Sequence, residues 1–288
     1  MEISEEEKRA EKSAKSAAAP ARAVGPGPAG LGNREVRYLF EAWPEAIERV
    51  REAHFRLVVL DFDGTLARLR RRPEQVRFSE RGRKILGRLV GLEKVLVAVL
   101  SGRSLKVIEG AIGVGGIRYI GLHGAARNGQ SIAPGLQSLR AIVGAREDAQ
   151  AEVASQPGIW IEDKGLMFAV HYRGARRKSV EAAERALRKI VEPLRDNLRI
   201  LNGDKVWEVM ARETPGKGAA VLALLAELPQ ATAVMCFGDD ATDEEAFAVL
   251  PGEITVNVGR RRETRARFYL RNPGEVLRCL ARLEKELR

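Results

Sequence analysis

The stretch Leu57–Leu66, which reads Leu-Val-Val-Leu-Asp-Phe-Asp-Gly-Thr-Leu, decides the fold of this chain. Four apolar residues run into two aspartates and a glycine, a pattern typical of a strand buried on both faces of a parallel sheet. Ligands bind at the carboxyl ends of such strands, where Asp61 and Asp63 lie. Two like charges this close need a cation or a shared proton, and Mg²⁺ is the natural cation for oxygen ligands. Taken alone, the stretch is equally compatible with a strand-end turn carrying two solvated aspartates.

The segments after Leu66 alternate between apolar runs and helical spacing. Strands are predicted at 95–100, 117–121, 233–237 and 254–258, with helices between them. Such alternation indicates parallel pairing through crossovers, so we predict an α/β fold with a doubly wound parallel sheet. The order changes between 126 and 211 to helix, hairpin, helix, hairpin, with the second hairpin turning at Asn202-Gly203. This order predicts an α+β module inserted into the core.

The predicted domains follow from these changes in pattern. Residues 1–33 end in a Gly/Pro-rich run that cannot pack a core, so we expect a disordered N-terminal extension. The remaining divisions are a first part of the core, an inserted cap and a second part of the core, at 34–125, 126–211 and 212–288.

Composition narrows the possible partners and the compartment. The chain has 288 residues, a formal net charge of +10 and two cysteines, too few for a disulfide framework. The excess of arginine is scattered and aromatic residues are few, so small anionic substrates are favoured over nucleic acid. The sequence lacks an apolar run of the roughly 20 residues that span a bilayer, and we expect no secretory signal. We expect a cytoplasmic monomer that binds neither nucleic acid nor membrane.

Polar residues at other strand ends and helix starts converge on one chemistry. Ser101 follows the second strand of the core, and Lys217 begins a helix, where its charge suits a phosphoryl oxygen. A second acidic cluster, Asp239, Asp240 and Asp243, is suited to complete a metal site. Together with Asp61 and Asp63, these residues predict metal-assisted phosphoryl transfer through an aspartyl-phosphate.

This set, in this order, resembles the haloacid dehalogenase superfamily. Its four motifs are present as Asp61-Phe62-Asp63-Gly64-Thr65, Ser101, Lys217 and Gly238-Asp239-Asp240-Ala241-Thr242-Asp243. Further stretches are similar to the trehalose-6-phosphate phosphatase family of that superfamily. They are Leu100–Arg103, Gly121–Gly124, Glu162–Lys164, His171–Arg173, Pro215–Gly218 and Thr264–Leu270. The resemblance covers roughly residues 55–272 and implies a type II cap at the position of the inserted module.

The resemblance implies a role for each core residue. Asp61 would attack phosphorus, and Asp63 would protonate the leaving oxygen and later activate water. Thr65, Ser101 and Lys217 would hold the phosphoryl group. The implied Mg²⁺ ligands are the Asp61 carboxylate, the Asp63 main-chain carbonyl and Asp239, supported by Asp240 and Asp243.

In the cap, the resemblance implies sugar recognition by Glu162, Lys164, His171, Arg173 and Glu208. Period two places Glu162 and Lys164 on one strand face, and likewise His171 and Arg173. Alternatives stay open: Lys164 also suits a hairpin turn, and Glu208 a solvated strand face. Near the core motifs, Arg103 beside Ser101 is predicted to contact substrate, and His123 before Gly124 suits either a substrate ligand or a structural role.

These expectations lead to a Mg²⁺-dependent phosphatase of trehalose 6-phosphate, acting in trehalose biosynthesis. The nearest alternative is a related phosphatase for sucrose phosphate or mannosyl-3-phosphoglycerate, with the same core chemistry. An alternative of another class is a non-catalytic basic protein that binds nucleic acid or a protein partner.

Overall fold

The computed structural model describes residues 35–70, 72–127, 130–259 and 263–288. The predicted N-terminal extension, residues 1–33, lies outside this part of the chain. In chain order the strands are β1 (Arg37–Tyr38), β2 (Phe55–Leu60), β3 (Val95–Leu100), β4 (Arg118–Gly121), β5 (Ala126–Arg127), β6 (Gln130–Ser131), β7 (Trp160–Asp163), β8 (Met167–His171), β9 (Leu198–Gly203), β10 (Val206–Ala211), β11 (Thr232–Gly238), β12 (Ile254–Val258) and β13 (Phe268–Leu270). The helices are α1 (Trp43–Glu52), α2 (Glu80–Val90), α3 (Leu105–Ile112), α4 (Leu136–Glu152), α5 (Arg177–Val191), α6 (Lys217–Ala226), α7 (Asp243–Ala248) and α8 (Pro273–Glu286).

Strand β2 lies inside a nine-stranded sheet of order β1-β13-β12-β11-β2-β3-β4-β5-β6. Pairing is parallel from β1 to β4 and antiparallel at β5 and β6. The predicted doubly wound parallel sheet is thereby confirmed. Chain order reverses on the two sides of β2, and the crevice at such a reversal is where open α/β sheets bind ligands.

Helices cover both faces of this sheet. Leu57 and Val59 of β2 pack on one side, in a cluster that includes Val221 and Phe247 from α6 and α7. Val58 and Leu60 pack on the other side, among residues of α1, α2, α3 and α8. The period-two alternation of an all-apolar strand therefore fills two cores at once.

The inserted module contains a four-stranded antiparallel sheet of order β7-β8-β10-β9. Helices α4 and α5 pack on one face of it through a cluster that includes Ile142, Leu187 and Trp207. The predicted order of helix, hairpin, helix and hairpin is confirmed, and the other face of the sheet is left to line the candidate site.

The second hairpin turns two residues later than the sequence predicts. Gly203 pairs with Val206, so the turn is Asp204-Lys205, with Lys205 at φ +62°. The Asp204 N–H donates to Asp240 Oδ2 at 3.1 Å, and Arg173 donates to the Asp204 carbonyl at 2.7 Å. These contacts from outside the hairpin outweigh the local preference of Asn-Gly for the turn.

Three further differences concern short strands. Residues 126–127 and 130–131, assigned to the inserted module from the sequence, form β5 and β6 and extend the large sheet. Strands β1 and β13 have two and three residues, too few for a period to be read in the sequence.

Across the described residues, none of the helices combines the length and apolar character that a bilayer crossing needs.

Candidate active site

The candidate site lies where the carboxyl ends of the central strands face the inserted module. A cavity of about 300 Å³ is lined from the core by Asp61, Asp63, Ser101, Gly102, Arg103, His123, Lys217, Asp239 and Asp240, and from the module by Glu162, Lys164, His171, Arg173 and Glu208. The structure thus brings nearly all predicted site residues to one cavity. Thr65 and Asp243 are buried directly behind its wall.

The buried ammonium group of a lysine holds two carboxylates at the centre of the site. Lys217 begins α6, and its Nζ donates to Asp61 Oδ1 at 2.8 Å and to Asp243 Oδ1 at 2.7 Å. Burial alone would lower the pKa of Lys217, but Asp243 and Asp61 hold it well above its usual value. Lys217 therefore stays charged, and it fixes the orientation of the Asp61 carboxylate.

Three acidic side chains are placed to share a metal ion. Oxygen atoms of Asp61, Asp239 and Asp243 all lie within 4.8 Å of one another. Burial, which outweighs the nearby Lys217, raises the pKa of Asp61 to about 7 and that of Asp239 to about 9. One lysine is thus too little positive charge for these carboxylates, and a hard divalent cation suits both the deficit and the all-oxygen ligand set.

The carboxylates of Asp63 and Asp240 have other partners. Asp240 accepts the Asp204 N–H from the hairpin turn of the module, so it connects the two parts of the structure. Asp63 is bound by both Nε and Nη2 of Arg103, at 2.6 and 2.7 Å. Arg103 is fixed in turn by the Pro73 carbonyl at 3.0 Å and by the Phe62 ring 5.2 Å below its guanidinium.

The loop after β2 depends on a glycine. Gly64 has φ +94°, and a Cβ there would lie 2.0 Å from an Asp239 oxygen. The missing side chain lets Asp239 approach the turn, where Thr65 Oγ1 donates to Asp239 Oδ1 at 3.1 Å. Ser101 lies at the end of β3, is 1% exposed and accepts the Arg103 N–H at 3.2 Å. Both predicted phosphate-binding hydroxyls therefore lie within the inner site.

On the module, Glu162 is fixed by a histidine whose ring stacks on a tryptophan. His171 Nε2 lies 2.8 Å from Glu162 Oε2, and Trp160 stacks on the His171 ring at 3.9 Å. Burial would raise the pKa of Glu162, but His171 and Lys164 hold it below its usual value. A carboxylate held ionised and oriented in this way is a suitable acceptor for sugar hydroxyls.

Glu208 is a buried residue with two cationic or polar partners. Its Oε1 accepts from Lys164 Nζ at 2.6 Å, and its Oε2 lies 2.5 Å from His123 Nε2. Lys164 also donates to the Gly102 carbonyl of the core at 3.0 Å. Burial would raise the pKa of Glu208, but His123 and Lys164 hold it well below its usual value. The structure excludes the solvated strand face for Glu208. Lys164 does lie in the turn between β7 and β8, but its side chain is buried against Glu208.

The sequence reading missed two residues that orient site groups. Trp160 lies two residues before Glu162, so period two places both on one face, but a tryptophan there is equally typical of a core position. Asp204 lies in the displaced hairpin turn, where it accepts hydrogen bonds from Arg173 and donates its N–H to Asp240. The contacts of Asp204 become visible only when the module is seen folded against the core.

Comparisons with known proteins agree with this geometry. The sequence model of the trehalose-phosphatase family matches residues 59–270. The trehalose-phosphate phosphatase of Mycobacterium tuberculosis strain H37Rv is 32% identical over 247 residues, which are 80% of this chain and 62% of the relative. That of Mycobacterium avium strain 104 is 30% identical over 250 residues, with the same two coverages. This chain therefore spans less than two thirds of the length of the curated relatives it matches.

Solved structures share the fold. The C-terminal domain of the Candida albicans trehalose-6-phosphate phosphatase superposes with a TM-score of 0.75 at 23% identity, covering 88% of this chain and 99% of that one. A trehalose-6-phosphate phosphatase related protein gives a TM-score of 0.66 at 26% identity, covering 80% and 97%. The α/β core with an inserted antiparallel module is thus common to this chain and these structures.

Proposed function

Because the chain belongs to the trehalose-phosphatase family, we propose that it hydrolyses trehalose 6-phosphate to trehalose and inorganic phosphate, using Mg²⁺. The observation that carries this proposal is the single cavity shared by two kinds of group. Asp61, Lys217 and Asp239 of the core are suited to phosphoryl transfer, and Glu162, Lys164 and Glu208 of the module are suited to a polyhydroxylated leaving group.

In the proposed reaction Asp61 is the nucleophile. Lys217 holds one of its oxygens at 2.8 Å, which orients the carboxylate toward the cavity and stabilises the ionised form that attacks. Attack on phosphorus forms an aspartyl-phosphate and breaks the bond to the sugar oxygen. Ser101 and Thr65 supply hydroxyl groups to the transferring phosphoryl oxygens.

Asp63 is the proposed general acid and base. It gives a proton to the departing sugar oxygen and then takes one from the water that hydrolyses the aspartyl-phosphate. Arg103 holds both Asp63 oxygens, so the substrate must share or displace that guanidinium before Asp63 reaches the sugar. A phosphoryl oxygen is a suitable alternative partner for Arg103.

Asp61 and Asp239 would hold the Mg²⁺ ion, with Asp243 as the buried support that also binds Lys217. When bound, the ion would supply positive charge to offset the phosphoryl oxygens. The Asp63 main-chain carbonyl remains a proposed ligand, and Asp240 is proposed to act indirectly, through the turn at Asp204.

The sugar is proposed to be recognised by the module. Glu162 and Glu208 offer ionised acceptors and Lys164 a donor, a set that suits vicinal hydroxyls. His171 orients Glu162, and Arg173 supports the turn at Asp204. A phosphatase for sucrose phosphate or mannosyl-3-phosphoglycerate remains the nearest alternative, because the inner site would be the same.

We also propose the domain limits, the oligomeric state, the compartment and the partners of the protein. The cap lies between residues 126 and 211, with 126–127 and 130–131 contributing β5 and β6 to the core sheet, and the core comprises 34–125 and 212–288. The protein acts as a cytoplasmic monomer on a small molecule, without binding nucleic acid or membrane.

A panel of phosphate esters tests the proposal. Phosphate release is measured for trehalose 6-phosphate, sucrose 6-phosphate, mannosyl-3-phosphoglycerate and an aryl phosphate, each with Mg²⁺ and with chelator. We expect the largest kcat/KM for trehalose 6-phosphate and almost no turnover with chelator. A larger kcat/KM for another ester would overturn the substrate assignment, and turnover in chelator would overturn the metal dependence.

A further inference from the structure

Two histidine–carboxylate pairs lie on the sugar side of the cavity, and they differ in origin. His171 and Glu162 both belong to the sheet of the inserted module, on neighbouring strands β8 and β7. His123, in contrast, follows β4 of the core, whereas its partner Glu208 lies on β10 of the module. The first pair can exist in the module alone, but the second forms only when the module lies against the core.

The backbone at His123 has an uncommon conformation that aims the ring. Leu122 and His123 have φ of +50° and +55°, and Gly124 has φ +116°. Successive left-handed residues are strained, so surrounding contacts must hold them. The His123 N–H donates to the Ser101 carbonyl at 3.1 Å, and the Leu122 N–H donates to the Arg103 carbonyl at 2.9 Å. The turn that carries His123 is therefore tied to the loop that carries Ser101 and Arg103.

The same loop leaves room for the ring. A Cβ added to Gly102 would lie 2.6 Å from His123 Nε2, so a larger residue at 102 would displace the imidazole. His123 Nδ1 is buried and has no hydrogen-bond partner among the described residues. Nε2 is thus the polar atom that the ring uses, and Glu208 is its partner.

Glu208 in turn fixes Lys164, whose Nζ also reaches the Gly102 carbonyl. The contacts form a series that starts and ends in the core and passes through the module, in the order His123, Glu208, Lys164 and Gly102. In this series Glu208 and Lys164, which belong to the module and face the sugar, are both oriented by atoms of the core.

From this arrangement we propose that His123 is a positioning residue. It orients Glu208, and through Glu208 the Lys164 ammonium, toward the sugar hydroxyls, and it does so only when the module is closed on the core. Sugar recognition is thereby completed next to the Ser101–Arg103 loop. The inference rests on the proposed function, because it assigns Glu208 and Lys164 to the sugar.

Substitutions at His123 separate this role from a merely structural one. Asn tolerates the left-handed backbone at 123 but is too short to reach Glu208. Gln places an amide N–H near the position of Nε2 and can restore the contact. His54, an exposed residue before β2, gives a matched control as His54→Asn. His171→Asn tests the pair that lies within the module.

We expect His123→Asn to lower kcat/KM for trehalose 6-phosphate about tenfold to a hundredfold, mainly through a higher KM. The aryl phosphate, which does not reach Glu208, should lose less than about threefold. His123→Gln should recover most of the loss, His171→Asn should resemble His123→Asn in substrate preference, and His54→Asn should resemble the wild type. Equal losses on both substrates in His123→Asn, with no gain in His123→Gln, would overturn the positioning role.

A double substitution gives a second measurement if His123→Gln folds poorly. Glu208→Gln and His123→Asn are combined, and kcat/KM is measured for the sugar phosphate that proves to be the best substrate in the panel. Losses that are clearly less than multiplicative are expected, because the two residues act as one unit. Multiplicative losses would refute the inference. If the best substrate is not trehalose 6-phosphate, the proposed function fails while this test remains valid.

Discussion

Removal of the proposed metal ion should destabilise the protein more at alkaline than at acidic pH. Oxygens of Asp61, Asp239 and Asp243 lie within 4.8 Å of one another, and Lys217 is the lysine that contacts Asp61 and Asp243. Burial raises the pKa of Asp61 from 3.8 to about 7 and that of Asp239 from 3.8 to about 9. Both carboxyls are therefore harder to ionise in the folded, metal-free protein than in the unfolded chain.

The sign of the effect follows from proton linkage. Between the unfolded and the folded pKa values, the folded metal-free protein binds more protons than the unfolded chain, so its free energy of unfolding falls as pH rises. The slope is about 1.4 kcal/mol per pH unit for one proton, which gives about 4 kcal/mol between pH 5 and pH 8 for Asp239 alone, and Asp61 adds to this below its folded pKa of about 7. Lys217 and Glu208, two neighbours whose pKa values are also shifted, add nothing to this slope near neutral pH. The Lys217 contribution is lost only at higher pH, and that of Glu208, whose pKa is lowered, only at lower pH.

The assay is thermal unfolding in chelator and in excess Mg²⁺, at about pH 5 and about pH 8. A bound cation keeps the carboxylates ionised, so the difference in Tm between the two conditions should be larger at the higher pH, by roughly 8–16 °C. Asp239→Asn removes one of the two raised carboxyls and should flatten the pH dependence in chelator. A Mg²⁺-induced difference in Tm that is the same at both pH values would refute the reasoning.

Three further predictions concern single side chains. Asp61→Asn keeps the shape but removes the nucleophile, so we expect almost complete loss of phosphate release with an unchanged circular dichroism spectrum; near wild-type turnover would contradict an aspartyl-phosphate. Glu162→Ala and Lys164→Ala should each lower kcat/KM for trehalose 6-phosphate roughly tenfold to a hundredfold and spare an aryl phosphate, because a charge-assisted hydrogen bond contributes about 1.5–3 kcal/mol; equal losses on both substrates would assign these residues to holding the cap together. Gly102→Ala should lower the free energy of unfolding by about 1–3 kcal/mol, measured by denaturant titration, since its Cβ would meet the His123 ring at 2.6 Å; unchanged stability would show that the ring moves freely.

The core was predictable from sequence because its signals are local. Each core motif directly follows an apolar strand or begins a helix, and parallel strands bring their carboxyl ends to one edge. Asp61 after β2, Ser101 after β3 and Asp239 after β11 therefore meet without further information. In the structure, β11 is buried along its whole length and β2 is buried from Leu57 to Leu60, as the apolar runs in the sequence predict.

The cap was less predictable because its contacts cross between distant segments. The Asn202-Gly203 pair favours a turn by its own backbone preferences, yet the turn forms at Asp204-Lys205 where Arg173 and Asp240 hold it. No local pattern distinguishes these partners. Likewise, Glu208 faces His123 across 85 residues of sequence. Its burial and pairing follow from how the cap lies on the core, which no period in the sequence encodes.

The charges that line the cavity predict that the cation and the substrate bind cooperatively. The chain as a whole carries +10, which favours the approach of an anion. Among the described residues that line the cavity, however, eight carboxylates exceed six basic side chains. The carboxylates are Asp61, Asp63, Glu74, Glu162, Asp204, Glu208, Asp239 and Asp240, and the basic side chains are Arg70, Arg103, Lys164, Arg173, Lys205 and Lys217. When Asp61 and Asp239 are both ionised, a phosphate ester entering this cavity meets net negative charge unless a divalent cation offsets the excess of two. Each of the two ligands should therefore raise the affinity for the other, because each compensates the charge that opposes the other.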